Sequence, residues 1–150
     1  MNGNGHKAYV IDTSVAVKWY LPEEFSHEAL RYMDDGITHY APDYLTLEVS
    51  SVLLKRCRRR PEAPGRLPVA ESRELIAAIQ AFPFRYYPVG PLNDLAYGLA
   101  LEVGSSFYDG LFLAVALQVS AKLVTADRKF YDKLAASEYA SQAVWVGLEP

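Results

Sequence analysis

The sequence predicts an α/β fold in which a central, mainly parallel sheet is covered by helices on both faces. Three observations carry this. Short apolar runs of strand length alternate with stretches of helical periodicity along the whole chain. The first such run, Ala8 to Ile11, is unbroken by polar residues, as expected of a strand buried on both faces. A length of 150 residues with 51% hydrophobic content suits one compact core, so residues 1–150 are expected to form a single domain.

Taken in order, the run Ala8 to Ile11 ends at Asp12, and a Thr-Ser pair leads into a helix-compatible stretch through Trp19. A second helical pattern covers Ser26 to Asp35. Ile37 to Ala41 reads as a brief strand closed by Pro42, a residue favoured in a helix's first turn. From Asp43 to about Arg59 the apolar residues Leu45, Val49, Val52 and Leu53 recur at helical spacing, which predicts a long helix with one stripe on the core. Arg60 to Pro68 holds three prolines and a glycine and is expected to be a loop. Beyond it the pattern predicts a helix over Val69 to Ala81, a strand over Phe84 to Val89, and a helix over Leu92 to Val103 interrupted at Gly98. An apolar helix over Ser106 to Val119, a strand over Lys122 to Thr125, a helix over Arg128 to Ala136 and a last strand over Ala143 to Val146 complete the chain. No internal repeat or low-complexity segment is visible.

The formal charge of -3 and the pI near 5.6 argue against nucleic-acid binding through overall positive charge, although a local patch remains compatible with it. The single cysteine, Cys57, excludes an internal disulfide and a CxxC motif, and a reducing cytoplasm is the simplest compartment. Met1 to Lys7 is polar and glycine-rich, and the apolar stretch after it stops at Asp12, so neither a signal peptide nor a membrane anchor is expected. His6, His27 and His39 are scattered without metal-ligand spacing and read as surface or internally satisfied side chains.

The chemistry lies in the acidic residues. Asp12 and Asp127 fall just past two predicted strands, where open parallel sheets bind ligands if those strands are neighbours at a switch in strand order. Each is equally well placed as a helix N-cap. Asp109 closes the segment Ser106-Phe107-Tyr108-Asp109, a capping-box pattern with Asp in the usual Glu or Gln position. Glu48 stands between Leu47 and Val49, near the buried stripe, where a carboxylate is costly unless it is paired or binds a cation. Its other reading is a solvated glutamate. Several carboxylates brought together repel one another unless a divalent ion neutralises them, and an oxygen-only ligand set suits magnesium or manganese. Such an ion can bind a phosphodiester oxygen and acidify a water, which points to phosphodiester hydrolysis.

Four segments, YVIDTSVAVKWYLPEE, APDYLTLEVSSVLLKR, SSFYDGLFLAVA and LVTADRKF, occur in this order. Together they resemble the blocks of the PIN-domain family, and within it the VapC-type toxins of bacterial and archaeal toxin-antitoxin pairs. The resemblance covers nearly the whole chain and fills all four of the family's acidic positions, with Asp12, Glu48, Asp109 and Asp127. It implies a three-layer α/β/α sandwich, a magnesium-dependent endoribonuclease (with manganese as a substitute), a homodimer, and inhibition by a small antitoxin protein. On this reading Asp12, Glu48 and Asp109 hold the principal ion, Asp127 binds a second ion or orients the water, and Thr13, Ser14 and Thr125 fix the carboxylates or the water. The proline-rich stretch from Pro61 to Pro68 departs from the shorter connection of relatives.

On the substrate side, Lys55, Arg56, Arg58, Arg59 and Arg60 crowd the end of the helix that carries Glu48. They are candidates for holding RNA phosphates or an acidic antitoxin segment, or are simply solvated at a helix C-terminus. No aromatic residue is assigned to base contact. A receiver domain would need an acidic pair at the first strand, and a haloacid-dehalogenase-like phosphatase a second aspartate two residues after Asp12; Thr13 and Ser14 stand there instead. Neither GxGxxG nor GxxxxGK[ST] occurs, which disfavours nucleotide binding by a glycine loop. The serious competitor is a non-catalytic PIN-like module that binds RNA or a partner protein.

Overall fold

The computed structural model describes residues 7–150; His6 and the remainder of the polar start lie outside the described residues. Five parallel strands form one sheet in the order β3-β2-β1-β4-β5. These are β1 (Lys7–Ile11), β2 (Ile37–Pro42), β3 (Arg85–Tyr87), β4 (Lys122–Thr125) and β5 (Ala143–Trp145). Among the described residues the α-helices are α1 (Thr13–Lys18), α2 (Ser26–Leu30), α3 (Leu45–Cys57), α4 (Val69–Ala81), α5 (Asn93–Val103), α6 (Phe107–Gln118) and α7 (Arg128–Ala135). By the right-handed rule for parallel crossovers, this strand order puts α1 to α4 on one face of the sheet and α5 to α7 on the other, the expected three-layer α/β/α arrangement. Strand order reverses between β1 and β4, so the ends of these two strands flank the switch point, as the acidic reading requires.

The sheet centre is built from residues without polar side chains. Val10, Ile11, Leu123 and Val124 on β1 and β4 are fully buried. Helix α6 is apolar all round, with every residue from Gly110 to Ala116 buried, because it lies against β1, β2 and β4 on one side and α5 on another. The contact with α5 demands glycine at position 110. A Cβ there would stand 2.4 Å from the Ala96 carbonyl oxygen and 3.1 Å from the Ala100 Cβ. On the opposite face, Trp19 anchors the end of α1 by stacking on Phe84 with ring centroids 5.7 Å apart and donating its indole N–H to the Ala29 carbonyl at 2.9 Å. His39, edge-on to Trp19, is buried with Nε2 2.7 Å from the Tyr32 carbonyl oxygen, and His27 is exposed. Both fit the expectation of satisfied or surface histidines.

Several boundaries differ from those expected. The second helix is α only to Leu30 and tightens into a 3-10 turn over Arg31–Met33. Pro42 does not open the next helix. It is the last residue of β2, paired with Tyr87, and α3 starts three residues later at Leu45. Helix α5 runs through Gly98 without interruption, since nothing lies within 4 Å of where its Cβ would be and the position costs only intrinsic propensity. Arg60 to Pro68 is a loop as expected. It folds back on α3, with Gly65 in the left-handed region (φ 69°), the Arg59 guanidinium donating to the Pro64 carbonyl at 2.7 Å, and Leu67 in the core. Among the described residues no single helix is long and apolar enough to cross a membrane.

Candidate active site

Asp12 leaves β1 with its backbone N–H still paired to the Val124 carbonyl at 3.1 Å, so the strand pairing carries it to the switch point. It occupies the N-cap position of α1, yet its side chain makes no capping hydrogen bond. The capping alternative therefore fails for Asp12. Instead Oδ2 accepts from the hydroxyls of Ser14 (2.5 Å) and Thr125 (2.7 Å). Those hydroxyls are themselves fixed: Ser14 Oγ accepts from the Ala126 N–H at 2.9 Å, and Thr125 Oγ1 accepts from the Asp127 N–H at 3.0 Å. One short network ties the ends of β1 and β4 to the first turns of α1 and α7.

Glu48 reaches the same place from α3. It is half-buried while its neighbour Leu47 is 71% exposed, so the solvated alternative also fails. Thr13 donates its hydroxyl to Glu48 Oε2 at 2.7 Å. Asp109 and Asp127 both cap helices and also face the same pocket. Asp109 forms a reciprocal capping box with Ser106, each contact 3.1 Å, through Oδ2. Asp127 caps α7 through Oδ1, which accepts from the Phe130 N–H at 3.1 Å. In each case capping occupies one carboxylate oxygen. Among the described residues the other accepts no hydrogen bond, and the same is true of Asp12 Oδ1 and Glu48 Oε1.

All four carboxylates line one pocket of about 270 Å³, together with Thr13 and Ser14. Their electrostatics reflect this crowding. Burial pushes the Asp12 carboxyl up to about 7, opposed by the Ser14 and Thr125 hydroxyls and reinforced by the charges of Glu48 and Asp109. Burial also raises Glu48 and Asp109, with Asp109 acting on Glu48 and Asp127 on Asp109 as like charges. As they stand, the carboxylates line the pocket walls without converging on one point. Among the described residues no group of three or more His, Cys, Asp or Glu side chains is drawn together tightly enough to enclose an ion. The donor chemistry nevertheless fits a hard divalent cation: the ligands are all oxygen, each carboxylate keeps one oxygen free of hydrogen bonds, and Asp12 is buried with no basic side chain against it.

The basic residues at the end of α3 divide among different surroundings. Arg56 lines the acidic pocket and is ion-paired to Glu23, which also holds Lys18 at 3.1 Å. Arg59 is committed to the Pro64 carbonyl. Lys55 lines a neighbouring groove, and Arg58 and Arg60 are exposed. Lys18 and Glu23 were missed as pocket residues. The one available signal was the four-residue spacing of Ser14 and Lys18, which places both on one face of α1.

With the fold and the pocket so described, the PIN domain model matches residues 9–134, and the chain belongs to the PIN domain family. Within it the chain is of the VapC type. It is 30% identical over 130 residues to Ribonuclease VapC3 of Pyrobaculum aerophilum, a match covering 85% of this chain and 95% of the relative. The crystal structure of PAE2754 from Pyrobaculum aerophilum shares the fold with a TM-score of 0.62 at 21% identity, covering 97% of this chain and 90% of that one.

Proposed function

We propose that the protein is a magnesium-dependent endoribonuclease and the toxin of a toxin-antitoxin pair, acting in the cytoplasm. The observation that carries the reading is that four carboxylates from four separate sequence blocks, Asp12, Glu48, Asp109 and Asp127, line one pocket at the switch point. The likeness to a ribonuclease of the VapC type over most of the chain supports it.

Asp12, Glu48 and Asp109 would hold the principal ion, with manganese able to replace magnesium, and Asp127 would hold a second ion or orient the attacking water. When bound, the ion supplies positive charge against the phosphodiester and lowers the pKa of a water. The protein's own part is to hold that ligand set in place. Ser14 and Thr125 fix Asp12, and Thr13 fixes Glu48. The half-buried cations Lys18 and Arg56 at the pocket edge would meet the phosphate backbone of the RNA.

Exposed apolar side chains mark faces for partners. Leu30 on α2 and Leu54 on α3 are 47% and 48% exposed, and α5 leaves Tyr97 and Leu101 in water at 61% and 68%. A second copy of the chain and a small antitoxin protein would cover these faces. Sedimentation of the purified chain tests the homodimer, and a monomer at micromolar concentration would remove it.

The decisive experiment is cleavage of a mixed pool of structured and single-stranded RNAs, with and without magnesium, by wild type and by Asp109→Asn. Magnesium-dependent cutting lost in the variant is expected. Cutting retained in Asp109→Asn removes this catalytic assignment, and RNA binding without cutting by either protein would favour the non-catalytic module.

A further inference from the structure

Glu48 lines two cavities. Beyond it, away from Asp12, lies a second one of about 380 Å³ bounded by Tyr44, Leu47, Glu48, Ser51, Lys55 and Tyr108. Tyr44, Glu48, Ser51 and Lys55 follow one another at intervals of three or four residues, so the cavity is a groove along one face of α3. Its floor is rigid. Tyr44 packs edge-on against the buried Phe112, donates its hydroxyl to the Tyr108 carbonyl at 3.0 Å, and meets the Tyr108 ring edge to face with centroids 5.4 Å apart. Tyr108 keeps this ring contact while remaining 57% exposed, and Leu47, lining the same groove, is 71% exposed.

A half-exposed aromatic ring beside the acidic pocket, with an ammonium group further along the same groove, matches the needs of a nucleic-acid strand. Bases stack on aromatic rings whatever their sequence, and the backbone between them requires cations. We propose that this groove is a base-stacking subsite. Tyr108, buttressed by Tyr44, takes the face of an unpaired nucleobase next to the phosphodiester held at the acidic pocket, and Lys55 takes a neighbouring phosphate. Base faces are hidden within a duplex, so the subsite selects single-stranded RNA or loops. This inference rests on the nuclease reading for the identity of its substrate.

The test measures binding and cutting separately on the full-length chain. Fluorescein-labelled single-stranded RNA of random sequence, the matching duplex, and an abasic ribose-phosphate strand of the same length are titrated in EDTA with wild type, Tyr108→Phe and Tyr108→Ala. Cleavage with magnesium is followed in parallel. Tyr108→Phe should bind as wild type does, whereas Tyr108→Ala should lose on the order of tenfold to a hundredfold in affinity for single-stranded RNA and nothing for the abasic strand. Lys55→Ala should flatten the slope of log affinity against log salt by about 0.7. Equal affinity of wild type and Tyr108→Ala for single-stranded RNA overturns the proposal, as does an equal loss on the abasic strand. A change in sedimenting species in Tyr108→Ala overturns it in favour of a protein interface, and no binding of RNA by wild type removes it together with the nuclease reading. Tyr108-dependent binding without cleavage leaves the subsite standing and sinks the nuclease alone; cleavage by wild type with equal affinity of wild type and Tyr108→Ala for single-stranded RNA does the reverse.

Discussion

Thr13 donates its hydroxyl to Glu48 Oε2 at 2.7 Å, joining two residues 35 positions apart and tying the first turn of α1 to the first turn of α3. Without it Glu48 has no hydrogen-bond partner among the described residues to set its rotamer. Thr13→Val keeps the shape and removes the donor; Thr13→Ser keeps the donor. The valine variant should lose about tenfold to a hundredfold in RNA cleavage, the usual scale for a group that orients a metal ligand, while the serine variant retains most activity. Equal activity in both variants would show that Glu48 is positioned by something else.

Asp12 makes stability depend on pH in the opposite sense to a salt-bridged aspartate. Its carboxyl titrates near about 7 in the folded protein, against about 3.9 in an unfolded chain. Between these values the unfolded chain binds fewer protons than the folded one, so stability falls as pH rises from about 4 to about 7. In Asp12→Asn this contribution is absent. Thermal melts in EDTA should therefore show the variant gaining on wild type as pH rises through that window, and magnesium should restore wild type alone at the upper end. A constant difference across the window would show that Asp12 is not held protonated by its surroundings.

Why some of this was legible in the sequence and some was not follows from the range of the interactions. Asp12 could be placed because the apolar run before it ends abruptly, and Glu48 because it interrupts a helical apolar stripe; both are local signals. Asp109 and Asp127 show their caps locally, but that both also line the pocket with Asp12 and Glu48 depends on contacts between distant segments that sequence spacing does not carry. The Glu23–Arg56 pair left no local trace, because it joins the turn after α1 to the end of α3. Proline's preference for a helix's first turn places the start of α3 too early in the sequence, whereas pairing with β3 holds Pro42 in the sheet. Tyr108 reads in the sequence as one more residue of an apolar helix, because its exposure depends on the packing of α6 against its neighbours.

Gly110 tests the packing that supports Asp109 from behind. In an open helix, glycine to alanine would stabilise by roughly 0.8 to 1.0 kcal/mol. Here the new Cβ would stand 2.4 Å from the Ala96 carbonyl oxygen, a backbone atom that moves only if α5 moves. Gly110→Ala is expected to lose about 1–3 kcal/mol in denaturant unfolding, the cost typical of overpacking. Gly98→Ala, with nothing within 4 Å, should gain stability instead. Stabilisation by both substitutions would mean that α5 and α6 are not in close contact.

Glu23 gives a prediction in which stability and binding move in opposite directions. Its carboxylate sits between Lys18 and Arg56, and the side chains of all three are at most 21% exposed. Removing the charge leaves two half-buried cations facing each other, so Glu23→Gln should lose about 1–2 kcal/mol of folding stability, less than a fully buried pair because water still reaches the site. The same change makes the edge of the pocket more positive, so RNA should bind more tightly in EDTA and lose affinity more steeply as salt is raised. Arg56→Ala should weaken binding and flatten that salt dependence. Weaker binding in Glu23→Gln, with stability unchanged, would mean that Glu23 contacts the RNA itself or an ion and does not serve to hold the two cations in place.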